Sequence, residues 1–176
     1  MRLRPATSAD VALLEAWSGK DHVIASAPTE GPFDWAGEVP RSVPWREILI
    51  GEEGARPVGV VVIIDPATEE THYWGEIAPD LRAIDIWIGE EADLGRGYGT
   101  GMMRQALARC FADSSVTAVI IDPLATNVRA QRFYERIGFT FFERRTFGED
   151  DCFIYRITRE SWDAQKPGYE NLAVRR

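Results

Sequence analysis

Leu94-Gly95-Arg96-Gly97-Tyr98-Gly99-Thr100 is the stretch with the strongest structural signal in this chain. It follows a strand-like run at 83–88 and precedes a helical run at 102–111. Glycines at alternate positions allow a tight turn, because they carry no Cβ and adopt positive φ angles freely. The N–H groups of such a turn meet a helix N-terminus, where unpaired donors and the helix dipole favour an anion. The stretch therefore predicts a phosphate-binding turn.

Two common phosphate-binding motifs are excluded by the residues around this turn. A P-loop ends in Gly-Lys-Ser or Gly-Lys-Thr, and neither triplet occurs in the chain. A dinucleotide fingerprint that begins at Gly95 requires glycine at position 100, which is Thr100. One that begins at Gly97 requires glycine at position 102, which is Met102. We therefore do not expect a nucleoside triphosphate or a nicotinamide dinucleotide here.

Composition favours one globular domain. The chain has 176 residues, 45% of them hydrophobic, and we expect a domain over 1–162 followed by a tail at 163–176. The longest apolar run, 58–64, is too short to cross a bilayer, and the first residues do not resemble a signal peptide. Cys110 and Cys152 are expected to be buried thiols, which favours a cytoplasmic location.

The charge of the chain points away from nucleic acid and towards cationic partners. Its formal net charge is −8, whereas a nucleic-acid-binding domain needs a basic face. Nine acidic residues and one basic residue lie within 65–93. This segment is either a solvated face or an acidic site that attracts a cationic substrate. The two histidines and two cysteines show no metal-ligand spacing, so no metal is expected.

Hydrophobic periodicity predicts an α+β fold with a mostly antiparallel sheet. In the run 82–89, Ile84, Ile86 and Ile88 alternate with a second set that includes Asp85, as expected for a strand. Residues 26–45, rich in proline, glycine and tryptophan, predict a long irregular loop. The predicted strands are 2–4, 46–50, 57–65, 82–89, 116–122, 139–147 and 151–158, and the predicted helices begin at Thr7 or Ser8, near Met102 and near Asn127.

Three segments together resemble the GNAT superfamily of acetyl-CoA-dependent N-acetyltransferases. They are the glycine turn, the pair Asp122-Pro123, and the run Asn127-x-x-Ala130-x-x-x-Tyr134-Glu135-x-x-Gly138-Phe139. The resemblance implies a GNAT fold with a mixed, mostly antiparallel sheet of six to seven strands flanked by helices. It also implies that this sheet opens between the strands at 82–89 and 116–122 to admit the pantetheine arm of acetyl-CoA.

The resemblance also implies which residues hold acetyl-CoA. The backbone of 96–100 would bind the pyrophosphate, and Asn127 would contact the pantetheine arm. The backbone N–H groups at 87–89 would polarise the thioester carbonyl. Leu94 departs from the glutamine or arginine usual in the superfamily, a small change because the turn binds through its backbone. The expected cofactor-binding residues are Trp87, Ile88, Gly89, Leu94, Gly95, Arg96, Gly97, Tyr98, Gly99, Thr100, Asn127 and Ala130.

Tyr134 and Asp85 are the candidate catalytic residues. The resemblance places Tyr134 near the thiol, where a phenol could protonate the departing thiolate. Asp85 is a carboxylate within an otherwise apolar strand, where it is costly unless it is paired or functional. A primary amine with a pKa of about 10 must lose a proton before it attacks, and Asp85 could accept that proton. Plainer interpretations remain open: Tyr134 as core packing, Asn127 as a helix cap only, and Asp85 as a solvated or salt-bridged position.

A finer resemblance points to the aminoglycoside 6′-N-acetyltransferases. It lies in Pro79-x-x-Arg82-x-Ile84-Asp85, in the glycine turn with its Leu94, and in Asp122-Pro123 with the helix that follows. It implies that Asp85 is the general base and that Asp122 binds substrate ammonium groups, although turn formation alone also explains Asp122. The expected substrate-binding residues are Trp74, Glu76, Asp80 and Asp122.

The sequence thus predicts acetyl transfer to a primary amine of a cationic small molecule, with the 6′-amine of an aminoglycoside as the expected acceptor. A hydroxylysine-type siderophore precursor or a protein or peptide amine is the alternative acceptor. A non-catalytic acyl-CoA-binding regulatory domain is the alternative of another class. We expect no nucleic-acid or membrane partner, and either a monomer or a homodimer.

Overall fold

The computed structural model describes residues 1–26 and 33–165, and within them the chain forms a seven-stranded mixed sheet. The strand order is β1-β2-β3-β4-β5-β7-β6, and only β4 and β5 run parallel. The predicted α+β fold with a mostly antiparallel sheet is confirmed. The strands are β1 (Arg2–Pro5), β2 (Arg46–Glu53), β3 (Arg56–Ile64), β4 (Leu81–Ile88), β5 (Ala118–Ile121), β6 (Thr140–Phe147) and β7 (Asp150–Thr158).

Helices lie on both faces of the sheet. Their bounds are α1 (Val11–Ser18, preceded by a 3₁₀ turn at Ser8–Asp10), α2 (Asp21–Ile24), α3 (Trp35–Glu38), α4 (Tyr98–Cys110) and α5 (Val128–Ile137). α4 begins four residues before the predicted Met102, because Gly97 adopts a left-handed conformation and serves as its N-cap. Residues 159–165 are also helical, which was not predicted, and Trp162 there stacks on Phe111. The rest of the predicted tail, 166–176, lies outside the described residues.

The alternation predicted for β4 is confirmed by the way its side chains divide between cores. Ile84 and Ile88 pack with α4 and α5, while Trp87 packs on the other face, against α1 and α3. Part of the predicted loop at 26–45 (27–32) lies outside the described residues. Its remainder contains α3, in which Asp34 caps the helix and Trp35 is buried.

The sheet opens between β4 and β5, as predicted. The two strands pair only from Leu81 with Ala118 to Ala83 with Ile120, whereas β4 stays paired with β3 as far as Ile88. β5 ends at Ile121, close before Pro123, which has no N–H with which to continue a ladder. The C-terminal half of β4 therefore keeps one backbone edge without a strand partner.

Among the described residues, the structure has no helix that is long and apolar enough to cross a membrane.

Candidate active site

The glycine turn forms an open backbone cradle at the N-terminus of α4. Gly95 and Gly97 have φ angles of 75° and 85°, and a Cβ built on either would meet nothing within 4 Å. The first helical hydrogen bond runs from Gly101 N to Gly97 O, at 3.0 Å. The N–H groups of Tyr98, Gly99 and Thr100 thus precede the first helical acceptor and can serve an anion. This geometry fits the pyrophosphate of acetyl-CoA.

An ion-pair cluster fixes the chain just before this cradle. The buried carboxylate of Asp93 accepts two hydrogen bonds from Arg56, at 2.6 and 3.0 Å, and Arg96 lies 3.4 Å from it. Arg56 also lies over the ring of Tyr98. The Arg56 hydrogen bond holds the pKa of Asp93 below its usual range. Leu94 packs against the main core instead of facing the cradle.

The backbone directions of β4 correct the predicted use of the N–H groups at 87–89. Gly89 N donates to Val58 O at 3.0 Å, so its N–H is committed to β3 and cannot polarise a thioester carbonyl. The backbone N–H and C=O groups of Trp87 also point towards β3. Its carbonyl oxygen lies so close to Gly59 on β3 that a Cβ built on Gly59 would be 2.5 Å from it. Ile88 faces the opposite way. Its carbonyl accepts a hydrogen bond at 2.9 Å from His22 Nε2, which must carry the proton.

The start of α5 confirms one of the two functions considered for Asn127. Its side-chain oxygen accepts a hydrogen bond from Ala130 N at 3.0 Å, so it is the N-cap of the helix. This bond also commits the N–H of Ala130. Because an N-cap uses only the amide oxygen, the amide nitrogen of Asn127 remains a donor, and pantetheine contact stays a prediction.

Tyr134 lies one helical turn further along α5 and is buried in the main core, against Phe139 and Tyr155. Burial, followed by the charges of Asp85 and Asp122, raises the pKa of Tyr134 above its usual range. Tyr134 is therefore packed in the core, and its catalytic role stays a prediction. The charges of Asp85 and Asp122 act on its phenol, so it lies near the point where β4 and β5 separate.

Asp85 and Asp122 form a carboxylate pair at this opening. The β4–β5 register, continued past Ala83 and Ile120, sets the two residues opposite one another. Water reaches the Asp85 side chain. The surrounding protein nevertheless raises its pKa to about 7, through desolvation first and the charge of Asp122 second. An exposed carboxylate set beside Asp122, where β4 and β5 separate, accounts for both properties.

The two carboxylates differ in their hydrogen bonds. Tyr73 Oη donates to Asp122 Oδ2 at 2.7 Å. No donor within the described ranges 1–26 and 33–165 reaches the carboxylate of Asp85. Desolvation raises the pKa of Asp122, and the Tyr73 hydrogen bond opposes that rise. Tyr73 was not predicted from the sequence, although it precedes the predicted Trp74.

The other predicted substrate residues, Trp74, Glu76 and Asp80, have three different surroundings. Trp74 is only 5% exposed and packs edge-on against Phe147, so its ring is core and not a free wall of the site. Glu76 is exposed and lines an open cavity of about 450 Å³. Asp80 precedes the N-terminal end of β4, where its carboxylate accepts a hydrogen bond at 2.5 Å from Thr117 Oγ1. The structure therefore does not bring Asp80 to Asp85 and Asp122.

Within the part of the chain that the structure describes, no group of three or more histidine, cysteine or acidic side chains could hold a metal ion. Cys110 and Cys152 are buried and unpaired, as predicted.

The opened parallel strand pair, the glycine cradle and the capped α5 are the features of an acetyltransferase of the GNAT class. Comparison with protein families agrees, since residues 6–147 match the family described as "Acetyltransferase (GNAT) domain". The chain belongs to this family, and the resemblance inferred from the glycine turn, Asp122-Pro123 and the Asn127–Phe139 run is confirmed.

Curated relatives of the chain include proteins named for aminoglycosides. The chain is 28% identical over 153 residues to "Aminoglycoside N(6')-acetyltransferase type 1" of Klebsiella pneumoniae, a match that covers 78% of this chain and 72% of the relative. It is 38% identical over 72 residues to "Kanamycin resistance protein" of Rhizobium radiobacter, covering 40% of this chain and 67% of that protein.

Solved structures agree with this comparison. A crystal structure of aminoglycoside acetyltransferase AAC(6')-Ib in complex with coenzyme A and kanamycin superposes with a TM-score of 0.82 at 25% identity, covering 93% of this chain and 98% of that one. An uncharacterised protein from Bacillus halodurans shares the fold, with a TM-score of 0.80 at 15% identity and coverage of 94% of this chain and 90% of that one.

Proposed function

We propose that this protein transfers the acetyl group of acetyl-CoA to a primary amine of a cationic small molecule, the 6′-amine of an aminoglycoside. The observation that carries the proposal is the Asp85–Asp122 pair at the opening between β4 and β5. The glycine cradle follows β4 in the chain and α5 follows β5, which supports one site with an anion-binding surface and a proton acceptor. The printed names of the relatives supply the aminoglycoside class.

Acetyl-CoA supplies an acetyl group activated as a thioester. The N–H groups of Tyr98, Gly99 and Thr100 would hold its pyrophosphate, and the amide nitrogen of Asn127 would contact its pantetheine arm. The backbone N–H of Ile88, on the unpaired edge of β4, would orient the acetyl carbonyl. The N–H groups of Trp87 and Gly89 would not, because they point towards β3.

Asp85 is the proposed general base. An aliphatic primary amine has a pKa of about 10, so at neutral pH most of it is ammonium and cannot attack. With a pKa of about 7, Asp85 is substantially ionised at neutral pH and can accept the proton. Proton transfer from the ammonium to Asp85, directly or through one water, leaves the nitrogen lone pair free for attack.

Tyr134 Oη is the proposed proton donor to the departing sulfur. Burial and the two nearby carboxylates raise its pKa, so the phenol keeps its proton until a strong base forms beside it. A thiolate that leaves from a thioester is such a base. Asp85 and Tyr134 thus have opposite tasks in one transfer.

Negative charge is the proposed basis of substrate recognition. Asp122 and the exposed Glu76 present carboxylates to a substrate that carries several ammonium groups. Such a field concentrates a polycation and steers its approach. A reducing compartment such as the cytoplasm is the proposed location, which the unpaired, buried thiols of Cys110 and Cys152 support.

Release of free coenzyme A from acetyl-CoA, measured with a panel of amines, tests the proposal. The panel contains kanamycin-type sugars with and without a 6′-amine, a polyamine, N-hydroxylysine and a lysine peptide. We expect turnover that requires the 6′-amine and a product heavier by one acetyl group. Turnover only on N-hydroxylysine or the peptide would replace the aminoglycoside with the alternative acceptor, and binding of coenzyme A without turnover would favour a regulatory domain.

A further inference from the structure

The loop between β3 and β4, residues 65–80, is fixed from within by a buried carboxylate. Glu69 is 5% exposed and accepts hydrogen bonds from Thr71 N at 2.8 Å and Thr71 Oγ1 at 2.7 Å. It also accepts a hydrogen bond from Tyr73 N. A buried carboxylate with three donors is a strong local constraint, because each broken bond would leave charge unpaired. The backbone at Tyr73 is therefore held in one place.

The ring of Tyr73 is held as firmly as its backbone. It stacks on Phe147, with centroids 4.3 Å apart and ring planes 14° apart, and it meets Trp74 edge-on at 5.6 Å. With the ring held in this way, the hydroxyl points towards Asp122 and donates a hydrogen bond to its Oδ2 at 2.7 Å. The hydrogen bond joins residues 49 positions apart in the sequence.

We propose that Tyr73 is a positioning residue that assigns different tasks to the two carboxylates of the site. Its hydroxyl holds one oxygen of Asp122 and leaves the other to receive an ammonium group of the substrate. Asp85 receives no such bond from the described residues and is left free to take the proton. This inference rests on the proposed function, which it deepens by separating binding from proton transfer.

The electrostatics around Asp122 support the assignment. The ionisable groups that face it are Tyr73 from the loop, Asp85 from β4, Tyr134 from α5, Arg145 from β6 and Cys152 from β7. Among these, Tyr73 lowers the pKa of Asp122 most, and Arg145 lowers it less. Loss of the Tyr73 hydroxyl should therefore raise the pKa of Asp122 and weaken its hold on a cation.

The variant Tyr73→Phe tests the proposal, because it keeps the stacked ring and removes only the hydroxyl. We expect KM for the amine substrate to rise about 10- to 100-fold, the range for a lost hydrogen bond to a charged group. KM for acetyl-CoA should stay unchanged. The acidic limb of kcat/KM should also move to higher pH.

Tyr155→Phe is the matched control. Tyr155 Oη donates to Glu135 Oε1 at 3.0 Å, another tyrosine–carboxylate hydrogen bond, made on the α5 face of the same sheet. Both variants lose one phenol hydroxyl from a carboxylate, so general destabilisation should affect both. A Tyr73→Phe enzyme whose amine KM and pH profile match those of Tyr155→Phe would overturn the proposal.

Two further measurements separate positioning from packing. In an Asp122→Asn background, Tyr73→Phe should add no further rise in amine KM, whereas a packing effect would add in full. A carboxyl-carbon NMR titration should show a higher pKa for Asp122 in Tyr73→Phe than in the unaltered protein, and an unchanged pKa would overturn the proposal. The titration needs no substrate, so it tests Tyr73 even where aminoglycoside turnover fails and the proposed function falls.

Discussion

The proposed cofactor half and the proposed acceptor half of this site are built in different ways. The cofactor half consists mainly of backbone groups: the glycine cradle, the capped start of α5 and the free edge of β4. The acceptor half consists of side chains, chiefly Asp85 on β4, Asp122 after β5 and Tyr73 on the loop between β3 and β4. A backbone site tolerates side-chain variation such as Leu94, whereas a side-chain site changes with each substitution.

This difference separates binding of a constant cofactor from recognition of a variable acceptor. Substitutions in the cofactor half should change KM for acetyl-CoA, and those in the acceptor half should change the amine kinetics. A substitution in the cofactor half that changes the amine kinetics, or one in the acceptor half that changes KM for acetyl-CoA, would contradict this separation.

Asp85→Asn should have the largest effect. Removal of the proton acceptor should lower kcat about 10²- to 10⁴-fold, with KM for acetyl-CoA unchanged. Steady-state kinetics of coenzyme A release measure both quantities. Asp113→Asn, which neutralises an exposed carboxylate that pairs with Arg82, serves as the control. A kcat for Asp85→Asn equal to that of this control would remove Asp85 from the mechanism.

The pH dependence should show the same carboxylate. Because Asp85 must be ionised to accept a proton, kcat/KM should fall about tenfold per pH unit below pH about 7 and level off above it.

The stability of the fold should change with pH in the opposite direction. The folded state holds a proton on Asp85 that the unfolded chain has lost, so this group's contribution to stability is lost as pH rises from about 4 to about 7.

Thermal unfolding of the unaltered protein and of Asp85→Asn, compared over that pH range, isolates this contribution from those of other carboxylates. The difference between the two proteins should shift with pH in favour of Asp85→Asn as pH rises. A difference that stays constant would contradict a raised pKa at Asp85.

Gly97→Ala should affect only the cofactor half. A residue with a Cβ at a φ of 85° costs about 1–2 kcal/mol, so KM for acetyl-CoA should rise about 5- to 30-fold while KM for the amine stays constant. Gly54→Ala is the matched control, since Gly54 has a φ of 64° and equally open surroundings in the turn between β2 and β3. Equal acetyl-CoA KM values in the two variants would show that the cradle does not hold the cofactor.

Glu76→Gln should have the smallest effect. An exposed charge contributes to attraction of a polycation through water, so KM for the amine should rise about two- to fivefold at low salt and converge with that of the unaltered protein at high salt. Kinetics at two ionic strengths measure this. A salt-independent rise would mean direct contact instead of long-range attraction.

The glycine turn and the capped start of α5 could be predicted from sequence because their determinants are local. Gly97, the helix it caps and the Asn127 cap each depend on residues a few positions apart. The polar Asp85 in an apolar strand was also visible as a pattern. The family inferred from these segments is confirmed.

The acceptor half could not be predicted in the same detail because its contacts are distant in sequence. The bond of Tyr73 to Asp122 and the burial of Trp74 against Phe147 depend on how the loop at 65–80 packs on β6. The direction of the Gly89 N–H depends on which strand lies beside β4. Side-chain alternation shows which face a residue occupies, but it does not show which neighbour its backbone pairs with.

The most direct test of the carboxylate pair and cradle as one acetyltransferase site is coenzyme A release with two aminoglycosides that differ only at position 6′. One carries an amine there and the other a hydroxyl. We expect turnover of the 6′-amine, lowered about 10²- to 10⁴-fold in Asp85→Asn, and none of the 6′-hydroxyl. Equal turnover of both sugars, or an Asp85→Asn enzyme as active as the unaltered protein, would contradict transfer to the 6′-amine with Asp85 as the base.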